Sequence, residues 1–132
     1  MKEFAIRLKN GDDLKKKLEE ICLENHFNTA IVLSAVGSLK KAHIRLAGAK
    51  SEIESEEDFE IVSLNGTISN GKAHLHISLS DEISNCIGGH LKEGTIINTT
   101  CEIVLGILEE YTSQRSYDET TGYEEIYFKK EG

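Results

Sequence analysis

The spacing of apolar residues changes period along this chain, and each change marks an element. Phe4, Ile6 and Leu8 alternate with polar neighbours, which predicts a first strand over Glu3–Leu8. From Leu14 the period becomes helical. Leu14, Leu18, Ile21 and Cys22 share one stripe, while lysine and glutamate fill the other positions. Asn10-Gly11-Asp12-Asp13 separates the two, with Asp12 expected as the N-cap and Asn25-His26 as the helix end. Thr29–Val36 is a run of small and β-branched residues and reads as a buried strand. Gly37-Ser38 is expected to turn the chain into a further strand over Ala42–Ala47, with His43 and Arg45 on one face. The acidic stretch Ser51–Asp58 is expected to be an exposed loop.

Asn70-Gly71 lies between two alternating runs and predicts a two-residue hairpin turn. Pairing then runs outward from Ser69 opposite Lys72. One face collects Ile68 with Ala73, Gly66 with Leu75, Leu64 with Ile77 and Val62 with Leu79. The other pairs Thr67 with His74, Asn65 with His76 and Ser63 with Ser78. A slip of one residue would mix the two sets, so apolar pattern and turn chemistry agree on a single register. Both imidazoles are thereby placed on one polar face.

Beyond Asp81 the pattern is less regular, and Gly88-Gly89 is expected to bend the backbone and deliver His90. Thr95–Leu108 reads as a long strand or a pair of strands, with Asn98, Thr100 and Glu102 on its polar side. Asp118–Gly122 is expected to be the loop of a C-terminal hairpin returning through Glu124–Phe128. No repeat, linker or low-complexity tract interrupts the chain. The expectation is one domain over residues 1–132, of mixed α+β class, with a central antiparallel sheet and flanking helices.

Composition narrows the possible roles. Hydrophobic residues make up 39% and charged residues 29% of the 132, as in ordinary globular proteins. No apolar run reaches the roughly 20 residues of a membrane helix, and the first residues lack the apolar core of a secretory signal, so a cytoplasmic location is expected. Cys22, Cys86 and Cys101 are odd in number and lack C-x-x-C spacing, which favours reduced thiols. Acidic residues outnumber basic ones 23 to 15, for a net charge of −8. Lys15-Lys16-Lys17 reads as a solvated helix face, and tight direct DNA binding is disfavoured.

His74-x-His76 is the sharpest chemical feature. Two histidines two apart on a strand project in parallel and suit one metal ion; His90 would complete three nitrogens with a fourth position open. Neutral imidazole also suits nickel, copper or iron. The competing reading is a polar sheet face or a subunit interface. For acid–base work Glu102, on a polar strand face, is a better candidate than Glu60, which a regular strand would place on the apolar side with Val62. Arg45 is the candidate for orienting a ligand, and Glu102 could equally be a buried carboxylate paired with Arg45 or Arg7. Cys86 is close enough in sequence to Gly88-Gly89-His90 to be weighed as a further ligand. His26 and His43 are expected at the surface. No P-loop, nucleophile elbow or dinucleotide fingerprint is present.

Gly37-Ser38-Leu39, Ile44-Arg45-Leu46-Ala47, Phe59 through Thr67, His74 through Asp81, Gly89-His90-Leu91 and Thr99 through Ile103 closely resemble the PPC (plant and prokaryote conserved) domain. Arg7-Leu8, Gly11 through Leu14, Arg115, Asp118 and Thr121-Gly122-Tyr123 extend the resemblance over nearly the whole chain. It implies a mixed α/β fold with a central antiparallel sheet, assembled as a homotrimer. It also implies kinship with stand-alone prokaryotic proteins labelled DNA-binding, and with plant proteins in which the domain mediates self-association and contacts with transcription factors. The implied fold is similar to that of acetolactate decarboxylase, a zinc enzyme with three histidines, to which His74, His76 and His90 correspond in type and order. Two departures matter. A sequence without proline contains no AT-hook, and Glu57-Asp58 stand where plant members carry Gly-Arg.

These readings imply a trimeric, DNA-associated or regulatory interaction module with a three-histidine zinc site. The alternative is a zinc-dependent enzyme or sensor for a small carboxylate. A third reading has the polar face serve only as subunit packing.

Overall fold

A computed structural model describes residues 1–132. The strands are β1 (Lys2–Lys9), β2 (Thr29–Arg45), β3 (Glu52–Ser55), β4 (Phe59–Ser69), β5 (Lys72–Ser80), β6 (Cys86–Leu91), β7 (Ile96–Ile107), β8 (Tyr111–Asp118) and β9 (Tyr123–Lys130). The one helix is α1 (Leu14–Glu24). Strand accounts for 64% of the chain and helix for 8%, so the expected α+β class with flanking helices is corrected to a mostly antiparallel β fold. The physical reason lies in the sequence: only Leu14–Cys22 carries a helical apolar period.

Seven strands form one sheet in the order β1-β7-β2-β4-β5-β6, with β3 on β2. An additional β2–β6 pairing joins Ile44 to Leu91 and Arg45 to His90, so β2, β4, β5 and β6 make a closed circuit of hydrogen-bonded strands. Closure leaves fewer free edges on the curled sheet. Its inner side is filled by a single cluster of 21 buried residues, among them Leu39, Ile44, Leu75, Leu79, Leu91 and Ile103. The stripe of α1 adds Leu14, Leu18 and Cys22, all at 0% exposure. Full burial of a leucine contributes about 1.5–3 kcal/mol. Burial alone pushes the Cys22 thiol up to about 11, and burial with the nearby Glu102 does the same to Cys101.

The helix begins one residue later than expected for its cap. Asp13, not Asp12, is the N-cap and accepts from the Lys16 amide. Its second oxygen accepts from the Gly94 amide, tying the helix to the approach of β7. Asp12 instead accepts from the Lys9 amide in the preceding turn.

Gly37-Ser38 does not turn the chain. The two expected strands are one strand, β2, which absorbs its curvature in three register shifts against β7. Gly37 is there for close approach: a Cβ would lie 2.6 Å from the Cys101 Cα. Within Ser51–Asp58, residues Glu52–Ser55 pair with Ala42–Arg45 rather than looping freely. His43 holds this edge. Its Nε2 lies 2.5 Å from Glu52 and its Nδ1 2.7 Å from the Glu93 carbonyl, so it is largely covered rather than a surface residue.

The β4–β5 hairpin keeps the expected register from Ser69–Lys72 to Leu64–Ile77 and on to Ser63–Ser78. Asn70 and Gly71 have φ of 50° and 76°, as a turn with two left-handed residues requires. One pairing fails. A bulge at Val62 gives Leu79 to Ile61, so Ile61 is buried while Val62 and Glu60 face out. The C-terminal hairpin β8–β9 forms a separate two-stranded sheet, with Asp118 opposite Tyr123.

Candidate metal centre

Three neighbouring strands set the site. On β5 the buried face carries Leu75, Ile77 and Leu79, at 3% exposure or less, which forces His74 and His76 to the opposite face. β6 pairs beside it with His90 directly across from His76, and β2 places Arg45 directly across from His90. His76, His90 and Arg45 therefore form a row across β5, β6 and β2, and His74 sits two residues along β5.

Gly88-Gly89 does not bend the chain. Both lie within β6, where the absence of side chains lets strands crowd: a Cβ on Gly88 would lie 2.7 Å from the Ile77 carbonyl, and one on Gly89 2.5 Å from that of Arg45. The strand pairing delivers His90.

The ring centroids are 5.4 Å apart for His74–His76, 5.4 Å for His74–His90 and 5.8 Å for His76–His90. One donor nitrogen from each lies within 4.8 Å of the others. Ligand nitrogens sit about 2.0–2.1 Å from zinc, so small ring rotations would close this set around one ion. Burial, followed by the charges of Arg45 and the other two imidazoles, holds His90 down to about 4. Burial, then His76 and Arg115, lowers His74 as well. Both shifts favour the neutral form that binds metals.

Two buried side-chain polar atoms lack a hydrogen-bond partner: His90 Nδ1 and Arg45 Nε. An orphaned buried donor or acceptor costs about 1–3 kcal/mol, which makes this pair the natural place for a bound group. The three-nitrogen set and the orphaned Nδ1 fit a divalent transition metal.

The other sequence candidates fall elsewhere. Glu102 is exposed on β7, between Arg7 of β1 and Val36 of β2, and lines neither cavity at the histidines. Glu60 is exposed opposite Ser80. Cys86 is exposed at the far end of β6, its thiol 3.9 Å from the Ser84 carbonyl. Of the residues considered for acid–base or orienting work, the structure brings only Arg45 to the histidines. It adds some that sequence reasoning did not single out as site residues, notably Lys72, Arg115 and Tyr123. Thr121-Gly122-Tyr123 stood out in the family resemblance, but no local pattern shows that β9 brings Tyr123 to the cavities at the histidines.

The profile of the Plants and Prokaryotes Conserved (PCC) domain matches residues 1–109, and the chain belongs to this family, the PPC domain of the sequence resemblance. It is similar to the bifunctional protein GlmU of a Synechococcus strain, 38% identical over 130 residues; the match takes in 98% of this chain but 21% of that protein. The chain thus spans about a fifth of the length of that curated relative. A hypothetical protein from Salmonella enterica has a similar structure, with a TM-score of 0.94 and 31% identity, covering 98% of this chain and 94% of the other. A metal-containing protein from Archaeoglobus fulgidus follows at a TM-score of 0.81 and 30% identity, covering 96% and 94%. No helix is long and apolar enough to cross a membrane.

Proposed function

We propose that this PCC-domain protein is a homotrimeric regulatory interaction module, associated with DNA through partner proteins, with a metal ion held by His74, His76 and His90. The observation that carries the metal reading is the convergence of three imidazoles from β5 and β6, with their donors within 4.8 Å. The description of the Archaeoglobus relative as metal-containing supports it. Zinc is the first candidate, because three imidazole ligands leave the fourth position open, and other divalent transition metals accept the same ligands. A bound ion of this kind supplies Lewis acidity at the open position.

The regulatory reading draws support from the Synechococcus relative, in which a segment like this chain accompanies a larger bifunctional protein. A net charge of −8 argues for contact with DNA through partners rather than directly. Arg45, with its unpartnered Nε beside His90, favours one second reading: a metal-dependent enzyme or sensor for a small carboxylate.

Elemental analysis of protein prepared without chelator tests the metal. About one equivalent per chain is expected, falling below about a tenth in His76→Ala. The same low content in wild type overturns the reading. A gel shift by the purified protein alone at low salt and micromolar concentration would show direct DNA contact and overturn the reliance on partners, and light scattering giving a monomer mass would refute the trimer.

A further inference from the structure

Two cavities meet at the histidines. One, of about 630 Å³, opens on His74 and is walled by charged side chains. The other, of about 570 Å³, opens on His76 and is walled by the backbone and small residues of Leu46–Ala49 and Gly88-Gly89. Three residues line both: Arg45, His90 and Tyr123. Two of these own the two orphaned buried atoms described above. The third comes from β9, beyond the residues matched by the family profile, and is 55% exposed.

Part of the charge around the first cavity is committed, while Lys72, Glu124 and Glu125 on its lining make no ion pair. Lys15 is paired with Glu19 at 2.9 Å, and Glu19 also accepts from the Ala73 amide. Arg115 donates to the Ser69 and Lys72 carbonyls. The Arg45 Nε–H is left as a buried donor aimed at nothing, while Glu124 and Glu125 on the opposite wall repel additional negative charge. Such a site suits one anionic group, and a carboxylate or similar planar oxyanion matches the guanidinium. An exposed tyrosine ring beside a shallow cavity of small residues suits a flat, weakly polar body.

From this convergence we infer that Arg45 and Tyr123 select the ligand of the histidine centre: a planar monoanion, its anionic end on Arg45 beside His90 and its flat body against the Tyr123 ring. The inference rests on the proposed site and adds its ligand class, with the C-terminal hairpin as the element that determines specificity. Arg45 and Tyr123 are positioning residues; no bond is made or broken in this step.

Calorimetric titration of the 132-residue protein, zinc-loaded and metal-free, with benzoate and with acetate provides the test. Benzoate is expected to bind the zinc-loaded protein at least about tenfold more tightly than acetate. Tyr123→Ala should weaken benzoate about fivefold and leave acetate and zinc affinities unchanged, while Tyr123→Phe should keep benzoate binding. Arg45→Gln should weaken both anions about tenfold, with thermal unfolding confirming that each variant is folded. Equal affinity for benzoate and acetate, or no effect of Tyr123→Ala, overturns the inference. Zinc binding without benzoate binding overturns this inference alone. Benzoate binding that depends on Tyr123 in protein unable to hold zinc supports the Arg45–Tyr123 contact and overturns the metal reading instead.

Discussion

The two hairpins of this protein are held by different forces. β4–β5 has a buried face, with Leu64, Ile68, Leu75, Ile77 and Leu79 in the core, and it carries His74 and His76 on its other side. β8–β9 buries only Ser113 to the same degree and exposes Tyr111, Tyr117, Tyr123, Tyr127 and Phe128. A two-stranded hairpin alone is marginal in water, so β8–β9 depends on its attachments. These are polar and concentrated at the turn of the other hairpin. The Ser113 hydroxyl meets those of Thr29 and Ser69, its amide donates to Asn28 Oδ1 at 2.7 Å, and its carbonyl accepts from Asn70 Nδ2 at 2.9 Å. Asn70 thus shapes the first turn and anchors the second hairpin. The contrast separates a rigid, core-anchored element that carries His74 and His76 from a hairpin attached by hydrogen bonds, whose stability can be changed without dismantling the core.

Five variants would break or sharpen that contrast. Leu75→Ala should cost the most, about 2–5 kcal/mol in denaturant unfolding, and should loosen the histidines with the core. Ser113→Ala should cost about 1–3 kcal/mol, because it leaves the buried Thr29 and Ser69 hydroxyls short of a partner. Hydrogen exchange should then quicken across residues 111–130 and remain slow in β5; equal quickening in both would erase the distinction.

Metal-free protein should lose stability as pH falls from 6.5 toward about 4. Over that window the unfolded chain takes up a proton on His90 that the folded chain, holding it neutral, does not. His90→Gln should flatten the acid limb of the melting profile. His43 has the opposite sign. Its pKa is raised above 6.5: burial works against the charged form but is outweighed by the Glu93 carbonyl and by Glu52 and Glu54. Its contribution is therefore complete below 6.5 and fades as pH rises through the folded value, so His43→Gln should lower stability below 6.5 and remove the decline above it, leaving the slope between 6.5 and 4 unchanged. Lys15→Ala should matter least, at about 0.5 kcal/mol or below, since it removes one i,i+4 pair while Glu19 keeps its bond to the Ala73 amide.

Much of the site's local geometry was readable in advance. Alternation and the Asn70-Gly71 turn were enough to put His74 and His76 on one face, and the helical stripe was enough to bury Cys22. Both depend on contacts within a few residues, where periodicity and turn preference act directly. The Val62 bulge, the continuity of β2 past Gly37 and the straight path of β6 through Gly88-Gly89 were not readable. A glycine permits a bend and a close approach equally, and only the neighbouring strand decides which is used.

Sequence alone therefore determined one register, one helix and a pair of parallel imidazoles. Tertiary structure decided what stands beside them. His90 meets His76, and Arg45 meets His90, because β6 pairs with both β5 and β2 as the sheet closes. Tyr123 reaches the same junction because Ser113 and Arg115 fasten the last hairpin to the first. These pairings join residues tens of positions apart, and they are selected by which edges and polar groups remain unsatisfied once the core is buried, a property of the whole chain rather than of any stretch of it.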